Sequence, residues 1–255
     1  MGTYVDKSTM VVVVGSCDKY EACWQPMIHG IKKYWADRLW NIIFITNEVD
    51  IAGYRTISVG KDSRWGYSVI TALKEIKDPY ILWLMDDFWI TGPVDTQIIK
   101  RYLRILHDNK LHHIRLLPPA DDTGKVVPER ECKYASLYHI NLWHFYDDAE
   151  FKVSASLGIW EKEVLLSYLR EDMTPWQFEK ESIEKSKAYP NKYLCNINPR
   201  VFPTGWYCNP YPNGKCSFMS RGKWDKAAYE YAHYEGLNID FSKHPDGTKN
   251  EAYNI

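Results

Sequence analysis

The sequence lacks the segments that carry a chain into or across a membrane. Residues 1–10 are polar and charged, without the basic stretch and apolar core of a signal peptide. No run of 18 apolar residues occurs, so we predict no transmembrane helix. These two absences favour a cytoplasmic protein.

The six cysteines show no spacing typical of a zinc site or a redox motif, and no CxxC pair is present. In a cytoplasmic chain we therefore expect free thiols. Cys208 and Cys216 flank a loop rich in Pro, Gly and Asn. A disulfide between these two remains an alternative in an oxidising compartment.

Excess charge and phosphate-binding glycine motifs are also missing. The net charge is −1, whereas a dedicated nucleic-acid-binding protein would show a basic excess, so we expect no nucleic-acid partner. Neither GxGxxG nor a Walker motif is found, which disfavours dinucleotide and P-loop sites. Aromatic residues are abundant, at 15% of the chain. Most are expected in the core, and the excess indicates stacking on sugars or bases only weakly.

The most informative segment leads from Tyr80 to Ile90, where a mostly apolar run meets two adjacent carboxylates, Asp86 and Asp87. A continuous apolar run is typical of a strand buried on both faces of a parallel sheet. Ionised Asp is almost never buried without a partner. At the carboxyl end of such a strand, where α/β folds bind ligands, that partner is expected to be a divalent cation. The alternative is an ordinary turn after the strand.

Predicted strands and helices alternate through residue 117, which indicates an α/β protein with a mostly parallel, doubly wound sheet. Antiparallel additions and more helices follow. The predicted strands are 10–15, 40–46, 54–60, the run before Asp86, 113–117, 138–145 and 152–158. The predicted helices are 21–35, 67–76, 94–107, 160–169, 174–187 (with Thr174 as the cap) and 223–234.

This order of parts resembles the GT-A glycosyltransferase fold over roughly residues 10–190. Val11–Asp18 looks like its first strand and nucleotide loop, and Leu82–Phe88 like its acidic DxD strand. Ser154–Trp160 and Thr174–Glu179 look like the acceptor region of bacterial and viral polysaccharide glycosyltransferases. The resemblance implies a single domain, 1–255, with a nucleotide-binding half at about 10–117 and an acceptor half with a tail at about 118–255. Phe88 departs from a strict Asp-x-Asp motif and puts metal dependence in question.

Polar residues at the ends of the first two predicted strands are candidates for the nucleotide-sugar site. Ser16 and Asp18 follow the first strand, and Asn47 and Glu48 follow the second. The carboxyl ends of parallel strands meet at one edge of the sheet, where ligands bind. Ordinary helix capping by Ser16 and Asp18 is an equally good interpretation.

Arg64 and Gly66 precede the helix before the acidic strand, a region that approaches the nucleotide in the fold that the chain resembles. Arg suits bidentate contact with a diphosphate, and glycine permits close backbone approach. The alternative is a helix entry with an arginine at the surface.

The resemblance implies a Mn²⁺ or Mg²⁺ ion at the acidic strand. Asp87 is the leading ligand, and Asp86 is either a second ligand or a ribose or water contact. A histidine of the C-terminal tail completes the metal shell in some proteins of this fold, which makes His233 the candidate here, with His244 as the alternative. A lone histidine is more often structural or exposed.

The acceptor side has Glu179 as the candidate general base, with Glu181 as the next choice. Trp160 and Trp176 are candidates for stacking on an acceptor sugar. The competing interpretation is that Glu179, Glu181 and Glu184 form a solvated helix face.

The resemblance thus implies transfer of a sugar from a nucleotide-sugar donor to a hydroxyl of a glycan or a lipid-linked saccharide. Inversion follows if a base stands near the acceptor, and retention if none does. A peripheral membrane contact is compatible with a lipid-linked acceptor. Two alternatives are a sugar nucleotidyltransferase and a non-catalytic carbohydrate-binding protein on the same fold.

Overall fold

The computed structural model describes residues 10–61, 63–117, 130–131, 141–146, 149, 152–205, 217–220 and 222–242. The predictions for Cys208, Cys216 and His244 lie outside these residues. Cys17, Cys23 and Cys195 carry thiols, as predicted. No helix in the described ranges is both long and apolar enough to cross a bilayer.

The strands of the described residues belong to one large sheet and one small hairpin-like pair. They are β1 (Met10–Gly15), β2 (Ile42–Thr46), β3 (Arg55–Ser58), β4 (Tyr80–Met85), β5 (His113–Arg115), β6 (Arg130–Glu131), β7 (Leu142–His144), β8 (Gly158–Glu161), β9 (Tyr193–Asn196), β10 (Met219–Ser220) and β11 (Lys223–Trp224).

The α-helices cover the two faces of the large sheet. They are α1 (Glu21–Tyr34), α2 (Trp65–Glu75), α3 (Thr96–Asp108), α4 (Lys162–Tyr168), α5 (Pro175–Ser186) and α6 (Lys226–Glu235), and a 3₁₀ turn at Asp18–Tyr20 precedes α1.

The large sheet has the order β3-β2-β1-β4-β8-β5-β9-β7-β6. The pairs β1–β2, β1–β4, β2–β3 and β5–β9 are parallel, and β8 is antiparallel to both β4 and β5. Therefore β1, β4 and β5 end at the same edge of the sheet, and β8 begins there. This carboxyl edge positions the candidate site.

The central strands are buried because both faces of the sheet are covered. Alternate residues of β1 belong to different cores: Val12 and Val14 pack with α1 and α3, and Val11 and Val13 pack with α2 and α5. This explains why β1, β2 and β4 are continuous apolar runs rather than alternating ones. The predicted α/β fold with a mostly parallel Rossmann-like half is confirmed.

Three local predictions need correction. Residues 152–157 form bends, and the strand begins only at Gly158. Trp160 is consequently in β8 rather than in a helix, and α4 begins at Lys162. Strand β9 was not predicted, because Tyr193–Asn196 lies in a stretch rich in Pro, Asn and Tyr. The predicted Thr174 cap is present, and its side chain forms a capping box with Gln177.

One buried carboxylate ties α6 to α1. Glu235, whose side chain is 1% exposed, contacts His29 Nε2 at 2.6 Å and accepts hydrogen bonds from Lys33 at 2.7 Å and Tyr34 at 2.5 Å. Burial raises the pKa of Glu235, but the hydrogen bonds from Lys33, Tyr34 and His29 outweigh it and hold the pKa below its ordinary value.

We expect Glu235→Gln to cost about 1–3 kcal/mol of unfolding free energy near neutral pH, since a hydrogen-bonded buried charge is lost. A lowered folded pKa gives stability that is present above the unfolded pKa, about 4.3, and is lost as the pH falls through the folded value. The difference in melting temperature between wild type and variant should therefore shrink in acid. Glu230→Gln, on the same helix, is the control and should cost under about 0.5 kcal/mol, because Glu230 forms a surface ion pair with Lys226 at 3.2 Å. An equal loss in both variants, or a gap that persists in acid, would contradict this role.

Candidate active site

The acidic pair stands at the centre of the carboxyl edge. Strand β4 lies between β1 and β8 and ends at Met85, so that Asp86 and Asp87 come directly after it. A turn follows at once, with Phe88 N–H donating to the Met85 carbonyl at 3.1 Å. Asp86 is 3% exposed, and Asp87 is partly exposed. The two carboxylates thus sit where the apolar run predicted them.

Asp86 is held from the side of β1. The Ser16 hydroxyl donates to its Oδ2, and Trp24 Nε1 donates to Ser16 Oγ at 2.7 Å. The Asp86 N–H donates to the Gly15 carbonyl at 3.2 Å. Ser16, a candidate for nucleotide contact, therefore orients the buried carboxylate through a relay that begins on α1.

Asp87 is held by a segment distant in sequence. The Ser217 hydroxyl donates to its Oδ2 at 2.5 Å, and Phe218 N–H donates to its carbonyl at 2.9 Å. The Phe218 ring stacks on Trp89 with centroids 4.4 Å apart. Neither Ser217 nor Phe218 was a sequence candidate, because no motif marks them and the contact spans 130 residues.

Both carboxyls are hard to ionise in this setting. Burial, and then the charge of Asp87, raises the pKa of Asp86 well above its usual range, against the hydrogen bond from Ser16. Burial also raises the pKa of Asp87 to about 6, against the hydrogen bond from Ser217. A cation beside the pair would reverse both effects, because it favours the charged forms.

The donor set fits a hard divalent cation. Carboxylate oxygens with neighbouring hydroxyls suit Mg²⁺ or Mn²⁺, and Mg²⁺ commonly takes one or two carboxylates plus substrate phosphates. Across the described parts of the chain, no third His, Cys, Asp or Glu joins Asp86 and Asp87 in a group that could hold a metal. His233 is exposed on α6 and does not join them, which corrects its prediction as a ligand.

Asp18 and Asn47 form a clamp between the ends of β1 and β2. The Asp18 carboxylate accepts the N–H groups of Asn47 and Glu48 at 2.9 and 3.0 Å, and Asn47 Oδ1 accepts the N–H of Asp18 at 3.0 Å. The clamp fixes the loops of the carboxyl edge. The Glu48 side chain is exposed. Nucleotide contact by these three residues stays a prediction.

The beginning of α2 faces a protein loop. Gly66 N–H donates to the Met173 carbonyl at 3.0 Å, and Tyr67 N–H donates to the Glu171 carbonyl at 3.1 Å. A Cβ at Gly66 would lie 2.0 Å from the Arg170 carbonyl oxygen. The glycine therefore serves packing against this loop, which corrects its interpretation as a site of nucleotide approach. The Arg64 side chain is exposed, and its role in phosphate binding stays a prediction.

We expect Gly66→Ala to lower the unfolding free energy by about 1–3 kcal/mol, because the methyl group would overlap a backbone oxygen. The melting temperature should fall by several degrees in a thermal unfolding experiment. Gly92→Ala is the control, since its Cβ would meet only Pro203 carbons at 3.4 and 3.5 Å. Equal melting temperatures for the two variants would contradict the packing role of Gly66.

Glu179 is tied to the same edge of the sheet. Its Oε1 accepts hydrogen bonds from the Ser154 hydroxyl at 2.6 Å and from Ala155 N–H at 2.9 Å. The Ala155 carbonyl in turn accepts a hydrogen bond from Trp83 Nε1 of β4 at 2.8 Å. The segment that holds Glu179 leads into β8, which begins at the carboxyl edge. Glu181 is instead exposed and pairs with Arg170.

The two candidate tryptophans of the acceptor side differ in exposure. Trp160 is 1% exposed and stacks on His113 with ring centroids 3.9 Å apart. Its ring faces are covered by protein, which corrects its prediction as a platform for a sugar. Trp176, one helical turn before Glu179, is 69% exposed and keeps an accessible ring.

Solved structures share this fold. S. aureus TarS 1–349, solved in complex with UDP, aligns at a TM-score of 0.50 with 11% identity, over 92% of this chain and 67% of that one. Mannosyltransferase PcManGT from Pyrobaculum calidifontis, solved with GDP-Man and Mn²⁺, aligns at 0.47 with 10% identity, over 77% and 56%. A CMP:2-keto-3-deoxy-manno-octonic acid synthetase aligns at 0.45 with 13% identity, over 81% and 93%.

The likeness to TarS 1–349 shows a GT-A-like fold, as the sequence resemblance implied. The chain spans 52%, 56% and 41% of three of the chains that it matches. No family model matches the sequence, and no curated protein matches it. A fold of this kind does not define a reaction, which depends on the residues of the site.

Proposed function

We propose that the protein is a glycosyltransferase that moves a sugar from a nucleotide-sugar donor to a hydroxyl of a glycan or lipid-linked acceptor. The observation that carries the proposal is the pair of a buried carboxylate, Asp86, and a partly buried one, Asp87, at the carboxyl edge of the sheet. Burial without a cation raises the pKa of both groups, so this site favours a divalent ion together with the diphosphate of a donor.

In this proposal Asp87 and Asp86 hold the ion, and Ser16 and Ser217 fix the orientation of their carboxylates. When bound, a divalent cation would neutralise the negative charge that develops on the leaving nucleoside diphosphate. Residues of about 10–117 would bind the nucleotide, and residues of about 118–255 would bind the acceptor.

Glu179 is the proposed general base, since it is placed at the same edge through Ser154 and Ala155. It would accept the proton of the acceptor hydroxyl as the hydroxyl oxygen bonds to the anomeric carbon. The bond from that carbon to the diphosphate oxygen breaks on the opposite side, which inverts the anomeric configuration. The exposed ring of Trp176 would pack on the acceptor sugar.

Thermal unfolding with a panel of nucleoside diphosphates and sugar nucleotides, with and without Mn²⁺, tests the donor site. A ligand that binds only the folded state raises the melting temperature, so one nucleotide should give a Mn²⁺-dependent rise. Release of pyrophosphate from a nucleoside triphosphate would instead identify a nucleotidyltransferase. Saccharide binding without any response to nucleotides would identify a carbohydrate-binding protein.

A further inference from the structure

A cavity of about 630 Å³ lies at the edge of the sheet opposite the acidic pair. It is lined by the first residues of three strands, Met10, Ile42 and Arg55. The strands β1, β2 and β3 are parallel, so this is their amino edge. Asp86 and Asp87 follow the carboxyl end of β4, which is parallel to β1. The cavity is therefore separate from the proposed donor site.

The charge of the cavity wall is predominantly positive. Lys32, Arg38 and Arg55 line it against one carboxylate, Asp78. Arg55 is neutralised by Glu75 outside the wall, at 2.7 Å. Lys32 is in the last turn of α1, where the helix dipole favours a cation. Arg38 lies beyond the end of that helix, and its Nη1 donates to the Trp35 carbonyl at 3.4 Å.

Two cations of the wall, Lys32 and Arg38, can therefore bind an anionic ligand. Within the described ranges, neither Lys32 nor Arg38 forms an ion pair. The Arg38 charge reaches the phenol of Tyr54, where it opposes the rise in pKa that burial causes. A guanidinium and an ammonium group that line one cavity favour an anion there, and the planar fork of Arg suits the oxygens of a phosphate.

The uncharged part of the wall is mostly aliphatic and includes two aromatic side chains, Trp40 and Tyr54. Trp40 is 4% exposed at the cavity, and Tyr54 is half-buried with its ring edge-on to Phe44 at 5.2 Å. The cavity volume of about 630 Å³ lies within the range of roughly 300–1,000 Å³ that is typical of small-molecule sites. Phosphate-binding cations next to a partly accessible ring match a phosphorylated small molecule.

We propose that this cavity is a second ligand site, which binds a phosphorylated small molecule through Lys32 and Arg38 with Tyr54 beside its organic part. The inference does not depend on the proposed transferase activity. It needs no metal, because the anion is met by protein cations rather than by the Asp86–Asp87 pair.

Thermal unfolding in EDTA with inorganic pyrophosphate and with adenosine 5′-monophosphate tests the site. At about 100 times Kd, bound ligand should raise the melting temperature by about 5–10 °C. The rise should persist in Asp87→Asn and be lost in Lys32→Gln/Arg38→Gln. The matched charge control, Lys74→Gln/Arg104→Gln, removes two exposed cations outside the cavity and should keep the rise. Sodium chloride at equal ionic strength controls for general salt effects, because a singly charged halide lacks the oxygens that the site would bind.

Arg38→Lys keeps the charge and removes the guanidinium fork, so it should reduce the rise even if the double variant folds poorly. A response to both probes would show that phosphate suffices, and a larger response to the nucleotide would add a role for Tyr54. The proposal is overturned if the rise survives in Lys32→Gln/Arg38→Gln or disappears in Asp87→Asn. It is also overturned if neither probe changes the melting temperature at about 10 mM.

Discussion

Asp87→Asn is expected to reduce sugar transfer by at least about 10³-fold, close to 4 kcal/mol of transition-state stabilisation. The amide keeps the shape of the side chain and can still accept the hydrogen bond from Ser217. It removes the negative charge that would hold a divalent ion against the leaving diphosphate. Initial rates with the donor identified by thermal shift, at saturating Mn²⁺, give the measurement.

The same substitution should not destabilise the fold in cation-free buffer. Burial raises the pKa of Asp87 to about 6. A raised folded pKa means that the stability from this group is present below the unfolded pKa, about 3.9, and is lost as the pH rises through the folded value. A neutral amide removes that loss, so the melting temperature of the variant at about pH 7.5 should equal or exceed that of the wild type.

Asp50→Asn is the control for Asp87→Asn, because Asp50 is exposed in the loop after β2. Its transfer rate and its Mn²⁺-dependent thermal shift should match those of the wild type. Isothermal titration with Mn²⁺ and the nucleotide adds a readout that does not depend on turnover, and binding should weaken only in Asp87→Asn. Undiminished transfer by Asp87→Asn would refute the metal assignment.

The central strands of the sheet could be predicted, because burial on both faces requires continuous runs of apolar residues. The continuous apolar runs of β1, β2 and β4 reveal their central position, and two carboxylates after β4 stand out because the interior excludes unpaired charge. Thr174, Pro175 and Gln177 likewise predict the start of α5, since capping depends on residues that are close in sequence.

Contacts that join distant segments could not be predicted from such local patterns. Ser217 reaches Asp87 across 130 residues, and nothing in the stretch around it distinguishes it from another polar residue. Gly66 could be read as a phosphate contact because glycine permits close approach, but its neighbour is the Arg170 carbonyl. Trp160 resembles a sugar platform by residue type, and only its place in β8 shows that the core covers it.

Glu179→Gln is expected to reduce transfer by about 10²–10⁴-fold, the usual contribution of a general base. The amide oxygen can still accept from Ser154 and Ala155, so the segment before β8 should keep its position. Donor binding, measured as the Mn²⁺-dependent thermal shift, should be unchanged, because Glu179 acts on the acceptor. The fall should therefore appear in kcat, with the KM for the donor nearly constant.

Glu181→Gln is the control that distinguishes a general base at Glu179 from a helix face whose glutamates are only solvated. Glu181 is on the same helix, two residues on, and its carboxylate pairs with Arg170 at the surface. Its loss should change the transfer rate by less than about twofold, since exposed ion pairs contribute little. If both variants keep full activity, no base acts from α5, and retention of the anomeric configuration becomes the expected outcome. Determination of the anomeric configuration of the product by NMR distinguishes the two mechanisms, because in-line attack assisted by Glu179 must give inversion.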